Sequence, residues 1–251
     1  MNLQFDHPRA LEICRAVKAA GGRAYLVGGL VRDRLLGAPA EARDHDLEVY
    51  GLDGPALRAL LERFGRVDAV GEAFTVYKLG DIDVSIPRRD SKTGAGHRGF
   101  TVTGDPSMSV EDAARRRDFS INAMLCDPLT GVVLDPHGGL EDLKARRLRA
   151  VDPATFVEDS LRVLRGMQFA ARFEFSIDPA TAALCRTIPL DDLPSERIWG
   201  EFEKLLLRAR RPSIGLQAGL EMGVMEKLFP DLQALVGCPQ EPSWHPEGDV
   251  W

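Results

Sequence analysis

The chain has no Cys-x-x-Cys pair; its four cysteines, Cys14, Cys126, Cys185 and Cys238, are scattered through 251 residues. Such spacing gives no disulfide framework and reads as reduced thiols in the core or at the surface. No apolar run is long enough to cross a bilayer, so no membrane is expected as a partner. The amino-terminal stretch Met1-Asn2-Leu3-Gln4-Phe5-Asp6 lacks a basic region followed by an apolar segment, which argues against a secretory signal. Cytoplasmic residence is the expectation. Internal repeats and low-complexity tracts are also missing. So is any excess of positive charge: 32 Lys and Arg face 38 Asp and Glu, for a formal net charge of -6. An acidic sum is awkward for an RNA binder, but distribution matters more than the sum. Basic residues gather at Arg88-Arg89, at Arg115-Arg116-Arg117, at Lys144 to Arg149 and at Arg208 to Arg211. These runs fit a local basic groove, but a solvated helix face or helix end is the commoner fate of such runs.

What is present is most informative between Leu26 and Asp46. Tyr25 to Val27 read as a short buried strand, and Gly28-Gly29 allow a sharp turn and close approach to a ligand. Leu30 to Leu36 read as a short helix closed by Gly37. A helix opening on a glycine turn presents free N–H groups, a suitable cradle for a triphosphate. Asp44-His45-Asp46 follow, with the two carboxylates two apart on an expected strand from His45 to Tyr50. Alternate strand residues share a face, so Asp44 and Asp46 suit Mg²⁺ held jointly by protein and nucleotide.

Periodicity places an opening helix on Ala10, Ile13, Cys14, Val17 and Ala20. Strands are expected at Ala24 to Val27, His45 to Tyr50, Val67 to Val70, Thr75 to Leu79 and Ile82 to Ile86, with a helix from Pro55 to Phe64. Pro87 to Thr101 has no apolar period and reads as a mobile basic loop. Ser109 is placed to cap the helix that carries Arg115 to Arg117. After Asp152-Pro153 the pattern is helical throughout. The expected fold class is α+β, with a mixed head over 1-151 and an all-helical neck over 152-251.

Further motifs follow in order. Arg116-Arg117-Asp118-Phe119-Ser120-Ile121-Asn122-Ala123-Met124 matches an RRDFTINAM box with Ser120 in place of threonine. Asp135-Pro136-His137-Gly138-Gly139 through Asp142-Leu143 matches DPxGGxxDL. Glu158-Asp159-Ser160-Leu161-Arg162 matches EDxxR, and Glu196-Arg197 with Glu201 and Lys204 completes the series. On these residues the chain resembles the class II tRNA nucleotidyltransferases and bacterial poly(A) polymerases, within the DNA polymerase β-like nucleotidyltransferase superfamily. The glycine turn alone would be weak evidence; five ordered elements from about Tyr25 to Lys204 are specific.

The resemblance implies a reaction and roles. Nucleotidyl transfer joins a 3′-hydroxyl to an α-phosphate and expels pyrophosphate, so positioning and charge stabilisation dominate. Asp44 and Asp46 are the implied Mg²⁺ ligands. Asp83 is the implied third carboxylate, with Asp81 and Glu48 as competing choices. Gly28, Gly29 and Arg32 would meet phosphates, Arg117 and Asn122 would hold phosphates and the box, and Asp118 would bind ribose hydroxyls. Asp135 is expected to order its own turn. Asp159 and Arg162, three apart on one helical face, would read the amine-bearing edge of cytosine or adenine. Arg165 would reach the nucleotide or serve packing, and Glu196 and Arg197 would buttress that helix.

The leading expectation is addition of C, C and A to the tRNA 3′ end from CTP and ATP. Poly(A) polymerase and A-only addition are sibling readings, and a noncatalytic RNA-binding remnant is the reading from another class. Gly71-Glu72-Ala73-Phe74 departs from the basic stretch of the poly(A) branch, and the Pro87 to Thr101 loop leans against CC-only addition. Trp244-His245-Pro246-Glu247-Gly248-Asp249-Val250-Trp251 does not resemble a natural terminus, so a head-and-neck piece or a shortened relative is expected.

Overall fold

Strand β2 meets one neighbour in parallel and the other antiparallel, and that arrangement organises the first half of the molecule. The computed structural model describes residues 3–37, 45–70, 76–92 and 100–251. Asp44, the segment Gly71 to Phe74 and residues 93–99 of the expected basic loop lie outside the described residues. The chain divides into two compact units, Met1–Lys144 and Ala145–Trp251. The sequence placed the change of character at 151; strand pairing inside the second unit draws the residues from 145 onward into it.

The first unit begins with α1 (Pro8–Ala19), where the His7 ring caps by accepting from the Ala10 amide and Pro8 occupies the first turn. Ala10, Ile13, Cys14 and Val17 form its buried face, as the periodicity predicts; Ala20, expected with them, caps the helix end and is exposed. There follow β1 (Arg23–Val27), α2 (Gly29–Leu35), β2 (His45–Tyr50), and α3 (Gly54–Leu61) with a 3-10 turn over Glu62–Phe64. Asp53 caps α3 by accepting from Ala56. Next come β3 (Asp68–Val70), β4 (Val76–Leu79), β5 (Ile82–Ser85), β6 (Arg88–Lys92), β7 (Phe100–Gly104) and α4 (Val110–Arg115). Ser109 caps α4 as expected, accepting from the Asp112 amide. A 3-10 turn at Ser120–Asn122, β8 (Leu125–Cys126), β9 (Val133–Leu134) and α5 (Gly139–Lys144) complete the unit.

Among the described residues the main sheet runs β3-β4-β5-β2-β1-β8-β9. Only β2 and β5 pair in parallel; the other pairs are antiparallel. Along β2 burial alternates: His45, Leu47 and Val49 are buried on one face, while Asp46 is exposed on the other. Leu47, Val84, Ile82, Ile13, Leu57 and Leu61 are fully buried and anchor the core.

The segment read as a basic loop holds β6 and the first two residues of β7, which together form a hairpin. β6 and β7 pair antiparallel from Arg88↔Gly104 to Lys92↔Phe100. Backbone pairing needs no apolar face, and β6, Arg-Arg-Asp-Ser-Lys, offers none to a periodicity search. The run Phe100-Thr101-Val102-Thr103 was the available signal for a strand.

The second unit starts with β10 (Arg147–Leu148) and α6 (Pro153–Phe156). It continues with α7 (Leu161–Phe173), β11 (Ser176–Ile177), α8 (Pro179–Thr187), α9 (Ser195–Arg208), α10 (Pro212–Glu221), α11 (Val224–Leu228) and α12 (Pro230–Gln233). Its regular elements are helices, the two-residue parallel ladder of β10 with β11, too short to leave a sequence period, and an isolated bridge between Pro239 and Asp249; the chain after Gln233 is not helical. The central helix α7 buries Val163, Leu164, Met167, Ala170 and Ala171. Among the described residues no helix is long and apolar enough to cross a membrane.

Candidate active site

The outer face of β2 and β5 carries the site. Parallel register sets Asp46 beside Asp83, and Glu48 beside Ser85, on one side of the sheet. Asp81 sits in the β4–β5 turn and is not the register partner of Asp46. Asp83 receives two hydrogen bonds from Lys78 Nζ, at 2.7 and 3.0 Å, across the same hairpin. The lysine was not singled out from sequence, although the tight turn between Leu79 and Ile82 makes Lys78 and Asp83 cross-strand neighbours. Carboxylate oxygens on adjacent strands are the donor chemistry of a hard divalent cation, and Asp46 with Asp83 fits that donor set.

The glycine turn borders this face. Leu26 pairs with Leu47, so β1 reaches Gly28 one step beyond the level of Asp46. Gly28 has φ 72° and ψ -140°, a backbone that favours glycine. A Cβ there would stand 3.3 Å from Arg117 Nη1, so the turn and the RRD arginine are neighbours. Arg117 Nη2 lies 3.7 Å from Glu48 Oε2. Tyr50, buried two residues along β2, donates to the same Glu48 oxygen at 2.7 Å. Burial first, and then Glu48, push the Tyr50 phenol well above its ordinary pKa, so it remains a donor. Glu48 is therefore tied to Arg117 rather than standing in register with Asp83.

Arg32, expected at the phosphates, is held by side chains of its own unit. It is 4% exposed. Its guanidinium donates to Asn122 Oδ1, and to Asp33 Oδ1 at 2.8 Å from Nε and 2.6 Å from Nη2. Asn122 in turn donates to Asp118 Oδ1 at 2.9 Å, and the Phe119 amide donates to the same oxygen at 2.7 Å. The first motif thus grips the RRD box: Arg32 sets Asn122, and Asn122 sets Asp118. An i, i+4 relation between Asp118 and Asn122 is readable from sequence; the 90-residue bridge to Arg32 is not.

The DPxGG element supports the box from beneath. Asp135 accepts from the Gly139 and Leu140 amides at 2.6 and 2.9 Å, ordering its own turn. Ser120 Oγ donates to the fully buried Asp142 at 2.6 Å. A Cβ at Gly139 would collide with the Ser120 carbonyl oxygen, so only glycine lets the two motifs meet.

In the second unit, Asp159 lies in the turn just before α7, so it and Arg162 are joined by a turn rather than by shared helix interior. The Arg162 amide donates to the Asp159 carbonyl at 3.0 Å. Arg197 Nη2 approaches both Asp159 oxygens at 3.3 and 3.4 Å, the buttress expected from the next motif. Arg162 Nη1 donates to the Thr155 carbonyl at 2.6 Å and its guanidinium lies 6.0 Å from the Phe156 ring centre. Arg165 stacks on Phe169 at 4.9 Å. Glu201, buried on α9, accepts from Lys204 at 2.7 Å.

Residues 24–149 match a family described as the poly A polymerase head domain. Residues 174–235 match one described as the "probable RNA and SrmB-binding site of polymerase A". A multifunctional CCA protein of Stenotrophomonas maltophilia is 44% identical, over 91% of this chain and 56% of its own. A Bacillus stearothermophilus CCA-adding enzyme, solved in complex with CTP, is 31% identical with a TM-score of 0.71, over 86% of this chain and 52% of its own. A Thermotoga maritima CCA-adding enzyme complexed with tRNA is 27% identical with a TM-score of 0.71, over 90% of this chain and 53% of its own. The chain spans about half the length of these relatives.

Proposed function

This chain belongs to the family of the poly(A) polymerase head domain, and on that footing we propose that it transfers CMP and AMP from CTP and ATP to the 3′ end of tRNA without a nucleic-acid template. The observation that carries this reading is the pairing of Asp46 with Asp83 on one sheet face, bordered by the Gly28 turn and Arg117. The relatives named for CCA addition support the choice of reaction.

In this reading Asp44 and Asp46 would hold Mg²⁺, with Asp83, level with Asp46, as the third carboxylate. The ion would lower the cost of negative charge on the attacking oxygen and on the leaving pyrophosphate. The 3′-hydroxyl gives up its proton to solvent, its oxygen bonds to the α-phosphorus, the bond from the α-phosphorus to the bridging oxygen breaks, and pyrophosphate leaves. Arg117, beside the glycine turn, meets the phosphates. Asp118, oriented by Asn122 and the Phe119 amide, accepts from ribose hydroxyls and so favours ribonucleotides. Arg32 acts through Asn122 as a positioning residue. Asp159 and Arg162, in the second unit, read the amine-bearing edge of the base. Cytoplasmic residence goes with this reading and is supported by four free thiols.

The test is incubation with tRNA lacking its terminal CCA, labelled CTP and ATP, and Mg²⁺, followed by sequencing of the product ends. Addition of C, C and A is expected. A single added A would assign A-only activity, and a long A tract the polymerase reading. No incorporation by a folded chain that still binds nucleotide would leave the noncatalytic reading.

A further inference from the structure

On the opposite side of the sheet from Asp46, three metal-ligating groups converge: His7 at the cap of α1, His45 at the start of β2, and Asp81 in the β4–β5 turn. Their ligand atoms all lie within 4.8 Å of one another. His7 Nε2 is 3.0 Å from Asp81 Oδ2, and His45 Nδ1 is 3.9 Å from the same oxygen. The imidazole rings are 4.4 Å apart, and the Phe5 ring packs edge-on against His45 at 5.5 Å. One detail separates this cluster from an ordinary hydrogen-bonded surface triad. His45 is only 8% exposed, and its Nδ1 is buried with no hydrogen-bond partner among the described residues. A buried ring nitrogen normally finds a partner. Here it points toward a carboxylate oxygen that is too distant to hydrogen-bond and at a separation a bridging ion can close.

We propose that His7, His45 and Asp81 form a second metal site, distinct from the catalytic carboxylates, that takes a zinc-class divalent cation. Two imidazoles and one carboxylate are a donor set for zinc, with a fourth position left to water. The all-oxygen pair on the other face suits a harder ion, so the two sites sort metals by ligand type. The ligands come from the segment before α1, from the strand bearing Asp46, and from the turn leading to Asp83. A bound ion would therefore tie the amino-terminal segment to both catalytic strands. Ligation also exchanges a bond. His7 Nδ1 accepts from the Ala10 amide at 3.1 Å, which fixes the ring proton on Nε2, where it faces Asp81. A metal on Nε2 moves that proton to Nδ1, and the helix cap gives way to the metal bond.

The experiment is zinc titration of the full chain by calorimetry, with Co²⁺ as a spectroscopic substitute. Asp81→Asn is the chief variant, because Asp81 is 53% exposed and its loss leaves the core untouched. His7→Gln is the second, and Asp46→Asn is the control for the opposite face. One zinc per chain is expected for the wild type and for Asp46→Asn. Loss of an outer-shell partner alone costs about 10–100-fold in metal affinity, so removal of a ligand in Asp81→Asn or His7→Gln should weaken binding at least tenfold. Bound Co²⁺ should show tetrahedral visible bands without thiolate charge transfer, and the Ala10 amide resonance should shift on zinc addition. Absence of saturable zinc binding, equal affinity in Asp81→Asn and wild type, or loss of the site in Asp46→Asn would each overturn the proposal.

Discussion

Asp46 and Asp83 are register partners on the parallel strands β2 and β5, and both project from the face opposite the buried Leu47 and Val84. The parallel pairing of β2 with the second strand of the β4–β5 hairpin brings residues 46 and 83 level. The same register gives the inner face its apolar content, so folding the core and aligning the carboxylates are one event. A one-residue slip would bury the carboxylates and expose the core.

Arg32 and Arg117 should separate in their effects. Arg32→Ala removes the donor to Asn122 Oδ1 and to Asp33 Oδ1, and leaving a buried acceptor short of its donor costs about 1–3 kcal/mol. Stability and activity should fall together. Arg117 is part-exposed at its 3.7 Å pairing with Glu48, and such a pair contributes about 0–1 kcal/mol. Arg117→Ala should therefore keep its fold while losing a charged phosphate contact of about 1.5–3 kcal/mol, read as a KM for CTP and ATP raised more than about tenfold. Urea melts and steady-state kinetics on both variants check this. A stable, active Arg32→Ala would remove its positioning role.

Base choice should rest on the second unit. Asp159→Ala and Arg162→Ala should each cost about 1–3 kcal/mol of discrimination, by analogy with bidentate reading of base edges. UTP and GTP misincorporation should rise relative to CTP and ATP, with smaller change in triphosphate affinity. Arg197→Ala, which removes the anchor of Asp159, should reproduce part of the effect. Competition assays with all four nucleotides measure it. An unchanged preference in the first two variants would reduce Asp159 and Arg162 to helix-end pairing.

The thiols should differ sharply. Burial pushes Cys14 and Cys185 up to about 12 and Cys126 up to about 11, while Cys238 is exposed. Native chain should show one fast-reacting thiol with a thiol-specific reagent at pH 8. The raised values also carry a stability sign. The folded state keeps these thiols protonated, so their contribution is complete below pH 9, the ordinary value, and declines as pH rises from 9 toward 12. Several fast thiols in the native chain, or stability that rises over that alkaline range, would contradict the burial.

Much of this organisation is written locally. β2 from His45 to Tyr50 follows from alternation, the α1 face from its spacing, and the α4 cap from Ser109. The links between motifs are long-range and leave no local period: Arg32 with Asn122, Ser120 with Asp142, Gly139 against the Ser120 carbonyl. That is why the bond from Arg32 to Asn122 could not be read from the sequence. The β6–β7 hairpin escaped notice because polar strands pair through the backbone alone. The choice of Asp83 over Asp81 as the residue level with Asp46 also needed the register, since both lie on one alternating run.

The most direct test of the account is Mg²⁺-dependent incorporation of labelled CMP and AMP into tRNA lacking CCA, compared between wild type and Asp46→Asn. An amide is a poor Mg²⁺ ligand, and Asp46 is exposed, away from the core. Removing one group aimed at developing charge costs about 10²–10³ in rate. The account predicts a fall of at least that size with an unchanged unfolding midpoint. Near-normal turnover by Asp46→Asn would contradict it and place the chemistry elsewhere.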